Sequence, residues 1–327
     1  MKAVRALFLI AGVAVLAYLI AQTGPEPLLA SLSRLTWWQF VLVCLPYGAV
    51  MAVDTLGWRY AFSGTPAPYL RMLAARTAGE AVNVVTALGG VGGEAVKVWL
   101  LRPAVSYEES IPSVVIAKTT ITIAQALFLI LGLIVAVTMV ELEGTLVTAM
   151  LWLLVVEILA VGGFFGAQVS GLVGRAGRLL AWSGVIKETA YAERLDKSLR
   201  EFYGRQWGRF LASVAAHLAG WLLGVVETVI TLWALDLPVT AATATVIEAL
   251  GSAVRFATFL VPGSVGTLEG ANAAAFSALG LGAGAGLTFS LVRRGRQMVW
   301  IGVGLLVLVA ARLQASVAGA APRGPAR

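Results

Sequence analysis

Arg76, Glu80 and Asn83 stand at i, i+4 and i+7 in an otherwise apolar stretch, a spacing that stacks all three on one face of a helix. A guanidinium, a carboxylate and an amide grouped in apolar surroundings either bind a polar ligand or pair with one another as architecture. Glu248, Ser252 and Arg255 repeat the pattern, as do Lys118, Thr122 and Gln125, and Arg293, Arg296 and Gln297 form a further basic cluster. Two glycine-rich segments accompany these stripes. One is Gly89-Gly90-Val91-Gly92-Gly93, followed by Glu94 and Lys97; the other is Pro262-Gly263-Ser264-Val265-Gly266, followed by Glu269 and Asn272. Each permits a sharp backbone reversal, after which a helix presents its positive N-terminal end. Several cations around two such reversals favour recognition of a lipid phosphate or another anionic headgroup. Glu94 and Glu269, just after each reversal, suit capping of the helix start or contact with a cationic headgroup. The candidate substrate-binding set is therefore Arg76, Glu80, Asn83, Gly90, Gly92, Gly93, Glu94, Lys97, Lys118, Gln125, Glu248, Arg255, Gly263, Gly266, Glu269, Asn272, Arg293 and Arg296. The competing reading makes Arg76–Glu80 and Glu248–Arg255 purely architectural pairs within their own helices.

Catalysis has little support. Cys44 is the only cysteine, which excludes disulfide frameworks and Cys-based metal centres, and His217 is the only histidine, which takes most of the support from His-cluster metal centres and Ser-His-Asp triads. No nucleotide-binding motif is present, no cofactor is expected, and the chain reads as a non-enzyme. His217 and Glu227, ten residues apart, fall about 80° from each other on a helix, an arrangement that serves helix contact better than a proton relay.

The elements that hold these residues must be membrane helices. Of 327 residues, 59% are hydrophobic and only 13% charged, too little polar surface to cover a water-soluble domain. Runs from Ala3 to Ala21, Trp37 to Phe62, Ile111 to Val140, Thr145 to Gln168, Phe210 to Leu235 and Gly284 to Leu313 each supply the roughly 20 apolar residues a crossing needs. Arg71 to Leu101 and Pro238 to Leu281 are also long enough but are broken by glycine and proline. The first run is a span rather than a cleaved signal, because no small-residue cleavage site follows it.

The net charge of +7 reflects topology rather than nucleic-acid binding, since the basic residues sit between spans. Lys2 and Arg5 place the amino terminus in the cytoplasm, and the polar segment from Arg175 to Arg209 is the strongest cytoplasmic loop. Leu172 to Tyr203, which overlaps it, has an amphipathic pattern suited to the membrane surface. Both termini then lie inside, provided the two broken regions enter and leave on one side as re-entrant hairpins.

Those regions resemble each other. Gly79, Thr86 and Leu88 match Gly251, Thr258 and Leu260 at a spacing of 172, while Glu94, Lys97 and Lys118 match Glu269, Asn272 and Arg293 at 175. The expected fold is an all-α polytopic transmembrane bundle of two inverted repeats, each with a glycine-broken re-entrant hairpin. Residues 1–313 form one transmembrane domain, with repeats at about 3–140 and 145–313, a cytoplasmic insertion at about 170–209 and a flexible cytoplasmic tail over 314–327.

Arg76-Thr-Ala-Gly-Glu80-Ala-Val-Asn83, the following Gly89-Gly-Val-Gly-Gly-Glu94-Ala-Val-Lys97, and Pro262-Gly-Ser-Val-Gly-Thr-Leu-Glu269 resemble the lysylphosphatidylglycerol synthase transmembrane-region family of flippase-like proteins. The resemblance runs from the first span to about Leu313. It implies translocation of a lipid between leaflets of a bacterial cytoplasmic membrane, with a membrane lipid as substrate and lipid-biosynthesis enzymes as partners. Members of the family include the flippase half of aminoacyl-phosphatidylglycerol synthases and stand-alone proteins, some associated with hopanoid biosynthesis. No soluble acyltransferase domain follows the last span, so the synthase activity is not expected here. Two other classes compete: a non-transporting scaffold for a lipid or hopanoid biosynthesis system, and an intramembrane enzyme acting on a polyprenyl or glycolipid.

Overall fold

The structure, a computed structural model, describes residues 2–86, 91–140, 142, 144–172 and 190–320. Among them it is all α-helix with no strand. The elements are α1 (Lys2–Thr23), α2 (Pro25–Arg34), α3 (Trp37–Tyr60), α4 (Tyr69–Val85), α5 (Val91–Leu101), α6 (Tyr107–Thr138), α7 (Thr145–Val169), α8 (Ala190–Arg205), α9 (Trp207–Ala234), α10 (Ala241–Ala257), α11 (Thr267–Ala278) and α12 (Ala283–Ala320). A short 3-10 turn, Pro262–Ser264, separates α10 from α11.

Among the described residues five helices (α3, α6, α7, α9 and α12) are long and apolar enough to cross a bilayer, and the pair α1–α2, bent by 88°, makes a sixth crossing if taken together. The chain is a multi-pass membrane protein. Two sequence boundaries move. The segment after α1, expected as a plain connection, contains α2, which starts with Pro25 directly behind Gly24, a position where the missing proline N–H costs nothing. At the other end α12 continues to Ala320, so residues 314–320 prolong a helix instead of starting a tail; 321–327 lie outside the described residues. Of the surface insertion, α8 is described and 173–189 are not. Tyr203 on α8 donates from its hydroxyl to Gln168 Oε1 on α7 at 2.7 Å, docking α8 against the spans, and burial pushes its phenol up to about 12.

Lipid tails are as apolar as leucine, so helices in a bilayer are held by close packing and polar pairs rather than by expulsion of water. Both devices are present. α3 and α9 form the most extensive crossing, flanked by α4 on α12 and by α10 on α6. The first arm of each broken pair thus packs on the long helix that follows the other pair.

Each broken pair folds back on itself, α4 on α5 and α10 on α11. The first fold is glycine on glycine: a methyl added to Gly93 would collide with the Gly79 carbonyl oxygen and the Asn83 side chain. Asn83 Oδ1 also accepts the Gly93 N–H at 2.7 Å, supplying a partner for a helix-start donor that otherwise has none. At the second break Gly266 adopts φ 79, a conformation glycine reaches without strain, and its N–H donates to Glu269 Oε2 at 2.7 Å. Because overpacking against backbone costs about 1–3 kcal/mol, Gly93→Ala is expected to lower the thermal unfolding temperature in detergent. Gly162→Ala on α7, where an added methyl meets nothing within 4 Å, is the matched control and should leave that temperature unchanged or raised. Equal behaviour of the two variants would show that the Gly79–Gly93 contact is unimportant.

Candidate functional site

Three polar clusters are assembled inside this bundle. The first lies where α4, α5 and α6 meet α3 and α9. Arg76 on α4 donates from Nη2 to Asp54 Oδ2 on α3 at 2.6 Å, and Asp54 Oδ1 lies 2.9 Å from His217 Nδ1 on α9. Small residues make room for this chain: a methyl on Gly57 would sit 2.7 Å from the His217 ring, and one on Gly220 would sit 2.7 Å from Asp54 Oδ1. Lys97 donates to both oxygens of Glu94 at 2.9 Å. In front of these pairs opens a cavity of about 60 Å³ lined by Arg76, Glu80, Asn83, Glu94, Lys97 and Lys118 on the polar side and by Trp58, Val114, Ala117 and Ile121 on the apolar side. That volume admits several water-sized groups. Lys118 is exposed at its mouth. Glu80 also lines a smaller neighbouring cavity of about 20 Å³ beside Tyr47 and Trp300.

The second cluster joins α9, α10 and α12. Glu248 on α10 accepts from Arg255 Nη2 at 3.0 Å, from Thr228 Oγ1 at 2.9 Å, and from Arg293 Nη1 on α12. Arg293 Nε lies 3.1 Å from Glu227 Oε1 on α9, and Arg296 Nη1 donates to Glu227 Oε2 at 2.6 Å. The Arg296 guanidinium sits over the Tyr47 ring, 4.3 Å from its centre, a favourable place for a cation. Every carboxylate here has its charge met; Glu248 is 2% and Glu227 1% exposed.

The third cluster fills the second glycine loop. Arg294 donates from Nε to Glu269 Oε1 at 2.7 Å, and from Nη1 to the Gly263 carbonyl at 2.6 Å and to Gln297 Oε1 at 3.0 Å. Glu269, in turn, caps α11 through Gly266.

The sequence-derived set therefore divides. Arg76, Glu80, Asn83, Glu94, Lys97 and Lys118 come together around one cavity. Glu248, Arg255, Arg293 and Arg296 come together as a closed ion network. Gly263, Gly266 and Glu269 belong to the plugged loop. Gln125 donates to the Ser252 carbonyl, tying α6 to α10, and Asn272 donates to Ser290 Oγ, tying α11 to α12. Gly92 and Gly93, which the candidate set includes, form the start of α5 and are not among the residues lining this cavity; Gly93 instead packs closely on Gly79. Gly90 lies outside the described residues.

Of the two within-helix pairs in the competing reading, Arg76–Glu80 is not made, because Arg76 reaches across to Asp54, whereas Glu248 and Arg255 do pair. His217 and Glu227 make helix contacts and share no relay, as their spacing suggested, because each faces a different neighbouring helix and joins a different cluster. Among the described residues Glu94 engages Lys97, and Glu269 makes a capping contact. Asp54 and Arg294 were missed. The signal for Asp54 was available, since a lone acid in the apolar run of α3 requires a buried partner.

No curated protein and no solved structure shows significant similarity to the chain. A family model described as the lysylphosphatidylglycerol synthase TM region does match, over residues 4–305. With nearly the whole chain covered and the glycine-broken pairs in their expected places, the protein belongs to the lysylphosphatidylglycerol synthase TM region family.

Proposed function

We propose that this protein translocates a membrane lipid, taking an amphiphile with an anionic headgroup between the leaflets of a bacterial cytoplasmic membrane. The observation that carries the reading is the cavity between α4, α5 and α6, where Arg76, Lys97 and Lys118 converge within a membrane-spanning bundle. Three cations at one cavity provide the charge-assisted donors a phosphate uses, while Trp58, Val114 and Ile121 give an acyl-facing wall. Glu80, which makes no direct ion pair among the described residues, is available to a cationic substituent on the same headgroup. In this reading the two halves are inverted repeats with re-entrant hairpins and both termini are cytoplasmic; the exchange of partners, α4 on α12 and α10 on α6, supports it. The two halves are then in different states, the first open as a cavity and the second closed by Arg293, Arg294 and Arg296.

Reconstitution with headgroup-labelled fluorescent phosphatidylglycerol tests this. Vesicles containing the protein should expose inner-leaflet label to a membrane-impermeant quencher faster than protein-free vesicles. Lys118→Glu, at an exposed position where stability changes little, should slow exposure about tenfold, the consequence of removing roughly 1.4 kcal/mol of headgroup interaction. Equal rates with and without protein would leave the scaffold role as the better account.

A further inference from the structure

α7 is a span of 25 residues that buries only Met150, Glu157 and Gln168. Their spacings of 7 and 11 residues return to within about 20° of one line on a helix, so α7 makes one narrow seam with the protein and turns the rest outward: Val155, Val156, Ile158 and Leu159 are all exposed. Glu157 stands at the centre of this seam, twelve residues from each end of the helix, about 18 Å along its axis and hence near the bilayer midplane. Its residue exposure is 0%, and neither carboxyl oxygen has a hydrogen-bond partner among the described residues.

The helices packed on α7 are α6, α8 and α10, and among the described residues their charges are committed elsewhere. Lys118 on α6 lines the cavity, and Glu108 and Glu109 lie in the first turn of α6. Glu248 and Arg255 on α10 bind each other. On α8, Arg194 faces Glu108 and Lys197 faces Glu201, Glu193 and Arg205 lie in its first and last turns, and Asp196 and Arg200 lie beside Gly171, beyond the end of α7. An ionised carboxylate with no donor at this depth is untenable, so this packing holds Glu157 as the neutral acid. Loss of its proton requires another arrangement of α7 against α6 and α10. A metal cation is a poor alternative occupant, because such ions need several oxygen ligands and no cluster of three His, Cys, Asp or Glu side chains exists among the described residues.

α6 supplies Lys118 to the cavity and α10 supplies Glu248 and Arg255 to the ion network, and the two helices are coupled directly. Gln125 on α6 donates to the Ser252 carbonyl on α10, and a methyl on Gly132 would collide with Ala249. A shift of α7 therefore acts on a pair of helices that holds Lys118 at the cavity on one side and Glu248 in the closed network on the other. We propose that Glu157 is an intramembrane proton-binding site whose occupancy sets the position of α7 and couples a proton gradient to the cycle of the cavity. The coupling rests on the translocator reading; the proton site does not.

Two measurements separate these parts. Infrared difference spectra of the purified protein in lipid, taken across a pH step, should contain a protonated-carboxyl carbonyl band that Glu157→Gln abolishes; identical spectra overturn the proton site. In vesicles with labelled phosphatidylglycerol, one proton per lipid across a difference of one pH unit should bias the leaflet ratio about tenfold at steady state. Glu157→Gln, which mimics the neutral acid, should still exchange lipid but settle at a ratio near one. A wild type that exchanges lipid without bias, or a variant biased like the wild type, overturns the coupling. Absence of exchange in both defeats the translocator reading and the coupling with it, and the infrared band then still decides the proton site.

Discussion

Glu248→Ala is expected to destabilise the folded protein by about 3–5 kcal/mol, the cost of stranding buried charge, measured as the shift in the SDS-driven unfolding free energy in mixed micelles. The size follows from what the carboxylate does. It accepts from Arg255, Thr228 and Arg293 at once, and its removal leaves Arg293, with side-chain exposure of 11%, sharing Glu227 with Arg296. Two guanidiniums then compete for one carboxylate in a medium where like charges are poorly screened. Glu248→Gln keeps the shape and the Thr228 contact while removing the charge. If charge is the dominant contribution, it should destabilise nearly as much as alanine; a cost below about 1 kcal/mol, typical of polar contacts between membrane helices, would mean that the network is wetter than its burial implies.

The second large effect concerns Asp54 and is best read as a double-mutant cycle. Asp54→Leu leaves Arg76, 7% exposed, and the fully buried His217 without their shared acceptor, and should cost about 3–5 kcal/mol. Arg76→Met alone strands the carboxylate and should cost a similar amount. Combining them removes both charges, and replacement of a buried pair by apolar groups is often close to neutral. The double variant should therefore be more stable than either single one. Additive losses would show that Arg76 and Asp54 act independently, despite the 2.6 Å contact. In the translocator reading, lipid exchange should remain impaired in the stable double variant, because Arg76 also lines the cavity.

Composition and spacing made the helices readable, since long apolar runs have few solutions other than crossing a bilayer. The stripes at i, i+4 and i+7 correctly grouped Arg76 with Glu80 and Asn83, because helical periodicity is a local property. Partner choice is not local. Arg76 has Glu80 one turn away and still binds Asp54, 22 residues earlier, because α3 packs on α4 and presents a buried acid that needs a partner. The same limitation hid Arg294, adjacent to Arg293 in sequence but about 100° round the helix, where it meets Glu269 rather than Glu248. Likewise the repeat predicted equivalent glycine loops, yet the second is plugged by an arginine for which the first half offers no counterpart: the position matching Arg294, at the spacing of 175, is Thr119.

The division of charge among the last helices has a consequence for biogenesis. α12 carries Arg293, Arg294 and Arg296, 10 to 13 residues into the helix, and each arginine penalises entry into the membrane by roughly 2.5–3.5 kcal/mol when unpaired. Their partners Glu227, Glu248 and Glu269 lie on α9, α10 and α11, all synthesised earlier. The ribosome thus delivers the acids first and the bases last, and α12 enters a bilayer already holding its counterions. Nascent chains halted before residue 283 should be more open to membrane proteases than chains that include α12, which makes insertion of α12 the step that closes this network.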